Sequence, residues 1–113
     1  MKYLCLVYLD EKKLDEVRDS ECAACGEALR KSGHSIAAEA LQSVTTATTV
    51  RVRDGKMSVT DGPFAETKEQ LAGYVVVECE SIERAVEIAA RYPDVRWGAL
   101  EVRPIMDLTG LEM

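Results

Sequence analysis

The sequence predicts an α+β fold, a ferredoxin-like split β-α-β domain with an inserted β-hairpin, over residues 1–113 as one domain. Three observations predict it. Strand-like apolar runs at 2–9, 71–79 and 97–105 are interleaved with two segments of helical spacing. Between them, Asp54-Gly55 sits inside alternating residues, the mark of a tight hairpin. The chain has 113 residues, 47% hydrophobic and 30% charged, which suits a single folded domain and excludes disorder. The order that results is β-α-β-(hairpin)-β-α-β.

Each element has its own signal. Residues 2–9 place Tyr3, Cys5, Val7 and Leu9 on one strand face and Leu4, Leu6 and Tyr8 on the other. In the charged segment that follows, Leu14, Val17, Cys25 and Leu29 fall near one helical face, with Cys22 and Ala28 beside them. Asp19 or Ser20 suits a later helix start, and Gly33 suits its stop. Ile36 to Leu41 reads as a weaker strand. Thr48 to Thr60 reads as the hairpin, with Val50 and Val52 on the way out and Met57 and Val59 on the return. Leu71 to Cys79 is a strong strand. Ser81 caps a second helix carrying Ile82, Ala85, Val86 and Ala89, ended by Pro93. Trp97 to Ile105 is the last strand, Leu100 and Val102 alternating with Glu101 and Arg103.

In this arrangement both helices cover one face of the sheet. Strands 3–9 and 71–79 are nonetheless apolar on both faces, so the helix-free face needs a cover. A second copy of the chain is the simplest one, which predicts a homodimer through that face.

Composition excludes several function classes. A net charge of -6 argues against a nucleic-acid binder, which needs a basic face. No apolar run approaches the roughly 20 residues of a membrane helix. The apolar start is short and runs into Asp10 and Glu11, so it reads as a strand and not as a signal peptide. Four cysteines without such a signal are expected to be reduced, in a cytoplasm. Cys22 and Cys25 form a C-x-x-C inside a helical segment, where two small core hydrophobes are expected, not a redox pair. Cys5, Cys79 and His34 lack the paired spacing of a zinc site. No phosphate-cradling glycine loop or nucleophile elbow is present, and no cofactor is expected.

The densest chemistry lies in Asp61-Gly62-Pro63-Phe64-Ala65-Glu66-Thr67-Lys68-Glu69-Gln70-Leu71, a turn formula and a charge cluster leading into a strong strand. With Lys2-Tyr3-Leu4, Thr46-Ala47-Thr48-Thr49-Val50-Arg51 and Glu101-Val102-Arg103-Pro104-Ile105, it resembles the YCII-related family in its DGPF branch. The resemblance implies a dimeric α+β barrel, two ferredoxin-like sheets facing each other. It also implies a small bacterial protein, and for some relatives a link to sigma factors. The broader family carries a His–Asp pair with the His early in the first helix. His34, the only histidine here, follows that helix and does not match it.

Site candidates follow from side-chain chemistry. Asp61, Glu66 and Lys68 are the catalytic candidates, since carboxylates and an ammonium group permit proton transfer and ion recognition in one place. Tyr8, Glu39, Phe64, Glu69 and Arg103 are the ligand-binding candidates. Each has a plainer reading. Asp61-Gly62-Pro63 makes a good Asx-turn. Thr67 to Gln70 fits a capping box that would start a helical turn. Glu101 and Arg103 could pair with the block in a structural ion network. Glu39, among alanines, suits a solvated strand, and His34 suits a helix C-terminus. Two function classes therefore stand. One is binding or transformation of a small polar organic molecule by cofactor-free acid–base chemistry. The other is a non-catalytic dimeric accessory or regulatory module. A concave pocket holding two or more of these ionisable groups separates them.

Overall fold

Strand alternation in residues 2–9 becomes the central strand of the protein. A computed structural model describes residues 1–12, 27–96 and 98–108. Strand β1 (Lys2–Leu9), β2 (Ser35–Ala40), β3 (Thr48–Arg53), β4 (Lys56–Asp61), β5 (Gln70–Glu78) and β6 (Gly98–Pro104) follow in chain order. Residues 27–31 are helical (α1), and α2 spans Ile82–Ala90. The main sheet is antiparallel, with strand order β2-β5-β1-β6. Strands β3 and β4 pair only with each other, as a separate two-stranded ribbon.

Burial alternates along β1 as its sequence demands. Tyr3, Cys5, Val7 and Leu9 are buried, whereas Leu4, Leu6 and Tyr8 are half-buried. Tyr3 and Cys5 of this face form one core with Leu29, Val75, Val77, Cys79, Ala85, Ile88, Ala89 and Tyr92, flanked by Leu100 and Val102. Leu29 of α1 and Ile88 of α2 therefore cover the same face. The opposite face carries Leu4, Leu6 and Tyr8, and their cross-strand neighbours Tyr74, Val76, Glu101 and Arg103. No described helix packs there.

Helix α2 is specified locally. The Ser81 hydroxyl accepts the Arg84 backbone N–H at 3.2 Å, and Glu83 lies in the positive first turn. Ala85, Ile88 and Ala89 are buried at i, i+3, i+4 spacing. On the exposed side Arg84 pairs with Glu87 at 2.8 Å. In the ribbon, Asp54 and Gly55 both take positive φ (52° and 77°), as a type I′ turn requires.

Several sequence expectations need correction. Thr67 to Gln70 starts no helix: the Thr67 hydroxyl donates to the Glu69 carbonyl, the Gln70 amide donates to the Thr67 carbonyl at 2.8 Å, and Gln70 begins β5. Strand propagation outcompetes the cap because Gln70 and Leu71 find ladder partners in Leu9 and Tyr8. Asp61 is not a turn residue but the end of β4, paired with Thr48. The Gly62 N–H goes to the Ala47 carbonyl at 2.7 Å. Among the described residues no ion pair joins the 61–71 block to Glu101 or Arg103; Arg103 meets Glu101 itself, at 3.9 Å. The expectations for Leu14, Val17, Asp19, Ser20, Cys22, Cys25 and Trp97 lie outside the described residues.

Cys5 and Cys79 are free and buried. Burial, with the Cys79 thiol nearby, pushes Cys5 from its ordinary value of 9.0 up to about 11. The unfolded chain therefore releases this proton first as pH rises. Stability should be untouched by Cys5 below pH 9 and fall between pH 9 and 11, by up to ~1.4 kcal/mol per pH unit. Urea unfolding across that range should show a shallower alkaline decline in Cys5→Ala. An identical decline in both proteins would refute this origin.

Candidate functional site

The carboxyl-terminal end of β1 meets the start of β5 and the start of β6, because all three pair antiparallel there. Tyr8 faces Leu71 on one side and Ala99 on the other. The β1–β5 register slips between Val7 and Tyr8, where Ala72 of β5 is the extra residue, while the β1–β6 ladder runs through Tyr8 unbroken. Gly73 and Gly98 allow close strand approach at this end: a Cβ on Gly73 would lie 2.7 Å from the Glu39 carbonyl oxygen, and one on Gly98 would strike the Tyr8 carbonyl oxygen.

Two cavities share Tyr8, Thr67 and Glu69 in their walls. The larger, about 590 Å³, lies between loop 41–47 and the 63–71 segment, with an apolar wall that includes Leu41, Val44, Phe64 and Leu71. The second, about 520 Å³, adds Lys68, Ala99 and Glu101. Together they place an apolar wall beside a phenol, an ammonium group and two carboxylates.

The wall is held by contacts that the sequence did not advertise. Glu11 accepts hydrogen bonds from the Ser43 hydroxyl at 2.9 Å and the Val44 N–H at 2.8 Å. One carboxylate just past β1 thus fixes the loop that forms one side of the larger cavity. Ser43 also accepts from the Thr45 N–H and caps the short turn Val44–Thr46. Glu11 escaped sequence reasoning because its partners lie more than 30 residues away; Ser43 ahead of Val44-Thr45-Thr46 was the available capping signal.

The candidate residues divide. Tyr8, Phe64, Lys68 and Glu69 are brought together around the two cavities. Phe64 is 74% exposed and stacks under the Arg51 guanidinium, 5.1 Å from ring centre to cation. Asp61 and Glu66 are exposed and line neither cavity. Glu39 lines a separate cavity of about 200 Å³ with Val7, Leu9 and Tyr92. Arg103 lines neither of the two cavities around Tyr8. Glu101 and Thr67, both in cavity walls, were not among the candidates. His34 is remote: it precedes β2 and sits by the Val77 end of β5, while the cavities lie near Leu71. Ser32 donates its hydroxyl proton to the Leu29 carbonyl, so the 2.8 Å contact with His34 is an Nδ1–H donation to Ser32 Oγ. Among the described residues no cluster of His, Cys, Asp and Glu could hold a metal ion.

Comparison with known proteins agrees with this architecture. The fold is similar to a 5-chloro-2-hydroxyhydroquinone dehydrochlorinase from Burkholderia phenoliruptrix AC1100, solved in complex with 2,5-dihydroxybenzoquinone. The TM-score is 0.54 at 13% identity, covering 94% of each chain. An uncharacterised protein of Rhizobium meliloti (strain 1021) is 34% identical over 114 residues, covering 93% of this chain and 92% of that one. The YCII-related domain matches residues 1–109, and with that coverage and that relative the chain belongs to the YCII-related family.

Proposed function

We propose that the protein binds a small, planar, polar organic molecule in the double cavity around Tyr8 and Glu69, and transforms it by acid–base chemistry without a cofactor. The observation that carries this reading is the meeting of Tyr8, Lys68, Glu69 and Glu101 in one cavity wall beside the apolar wall of the other. An aromatic or quinone-like body suits Phe64, Leu41 and Leu71. Lys68 supplies a cation for a phenolate, enolate or carboxylate oxygen. Glu69 or Glu101 takes a proton, and the Tyr8 hydroxyl donates one. The fold neighbour's quinone complex makes 2,5-dihydroxybenzoquinone a sensible first probe.

The working form is a homodimer through the helix-free face, the dimeric α+β barrel. Half-buried Leu4, Leu6, Tyr74 and Val76 on that face support it.

Calorimetric titration with 2,5-dihydroxybenzoquinone and a panel of hydroxylated benzoates tests the site. Saturable binding is expected, weakened at least ~10-fold in Lys68→Ala and in Tyr8→Phe, since a charge-assisted hydrogen bond contributes about 1.5–3 kcal/mol. Equal affinity in the variants would move the site elsewhere. Absence of binding by the whole panel, with lower thermal stability in both variants, would favour the non-catalytic module.

A further inference from the structure

The ribbon β3–β4 is an exposed element that its own chain does not cover. Every residue of β4, and all of β3 except Thr49, is exposed. Val50 faces Val59, and Val52 faces Met57, so the four form one apolar stripe on one side of the ribbon. They are 59%, 57%, 59% and 70% exposed respectively. A two-stranded ribbon is marginal in water on its own and needs its apolar face packed. Here that face has no neighbour in the main sheet.

Contacts at the ribbon's base decide which side looks outward. The Thr49 hydroxyl donates to the Gly62 carbonyl at 2.8 Å, and Arg51 lies over Phe64 of the same chain. Thr49 and Arg51 alternate with Val50 and Val52, so the polar side is turned toward its own chain and the apolar stripe away from it. The radius of gyration is 16.2 Å, where a compact chain of this length has about 13 Å. The principal extents are 47 × 46 × 19 Å, a thin slab with much surface for its size.

We infer that β3–β4 is an exchange arm that lays its Val50–Val52–Met57–Val59 stripe on a second copy of this chain. Charge selects that occupant. The arm carries Arg51, Arg53 and Lys56 against Asp54 and, at its base, Asp61, a net positive element in a chain whose net charge is -6. A basic arm therefore meets an acidic body when it reaches another copy. Both ends of the arm run into cavity walls, at Thr46 and Ala47 on one side and Pro63 and Phe64 on the other. Docking the arm consequently fixes the mouth of the larger cavity, and the cavity is completed only in the assembled pair.

This inference rests on the two-copy assembly proposed above, and the experiment separates the two. The dimer dissociation constant is measured by sedimentation for the wild type, for the arm variant Val52→Ser/Met57→Ser and for the sheet-face variant Leu6→Asp. All substitutions lie at positions that are exposed or half-buried in the single chain, and circular dichroism confirms folding. In parallel, a photo-cross-linking side chain is placed at Val52, and ¹⁴N- and ¹⁵N-labelled copies are mixed before irradiation. Dissociation at least tenfold weaker in the arm variant, with mixed-isotope cross-linked peptides, is the expected result. A dimer unchanged by the arm variant but broken by Leu6→Asp, with cross-links only within one isotope, would overturn the arm and keep the sheet-face pair. A monomeric wild type at micromolar concentration would overturn both.

Discussion

Gly98→Ala should unfold the corner of the sheet that carries the candidate site. A Cβ at this position strikes the Tyr8 carbonyl oxygen and comes within 3.0 Å of both the Tyr8 carbonyl carbon and Leu9 Cδ2. Two of those atoms are backbone, so no side-chain rotation relieves the clash, and β6 must separate from β1. Gly98 faces Leu9 in the ladder, one residue from the Tyr8–Ala99 pair. The expected loss is ~3 kcal/mol or more, a fall in Tm on the order of 10 °C for a domain of this size. Thermal unfolding followed by circular dichroism reads it. Gly55→Ala is the contrasting case: nothing lies within 4 Å of its Cβ, and only the positive φ of 77° resists it. That costs about 1 kcal/mol. A Gly98→Ala protein as stable as Gly55→Ala would refute the close approach of β6 to β1.

The second large effect is expected at Ile88→Ala. Ile88 is fully buried, on the side of α2 that packs against β1 and β6 and joins the core. Removing its branched side chain leaves a cavity between helix and sheet and should destabilise the protein by ~2–5 kcal/mol. Val86→Ala, two residues earlier and 52% exposed, should change stability by less than about 1 kcal/mol. The pair measures whether α2 turns its Ala85–Ile88–Ala89 face to the sheet. Equal losses at the two positions would mean that the helix is rotated about its axis.

The two positions also show what periodicity can and cannot reveal. Helix α2 was legible because apolar residues recur every three or four positions and Ser81 marks the start. Its buried face was legible only in part: Ala85 and Ala89 are buried as expected, whereas Ile82 and Val86 of the expected stripe are exposed and Ile88 takes the core position, because the sheet covers only one narrow side of the helix. The hairpin turn was legible because few dipeptides tolerate two positive φ values. Asp61 and Glu66 were attractive as site residues because a charge cluster beside a strong strand looks like chemistry. The structure leaves both exposed and outside the two cavities: Asp61 lies at the end of the β3–β4 ribbon, opposite Thr48, and Glu66 lies on the exposed stretch before β5. Lys68 and Glu69, of the same charge cluster, do line the cavities. Glu101 was visible merely as the polar residue of an alternating strand. It enters the site because β6 runs antiparallel to β1 in a register that puts it opposite Leu6.

The α+β class, the order of the elements, the β1 and β5 patterns, the start of α2 and the family were readable from the amino acids alone, because each depends on local periodicity, capping or a contiguous block. Only the tertiary structure decided which ionisable groups share a cavity, that Glu11 holds the 43–46 loop, and that the ribbon stands apart from the sheet with its apolar stripe outward. Those facts depend on strand register and on contacts between residues more than 30 positions apart. A side chain's neighbours across a sheet are set by pairing, and a slip of one residue would move every one of them to the other face.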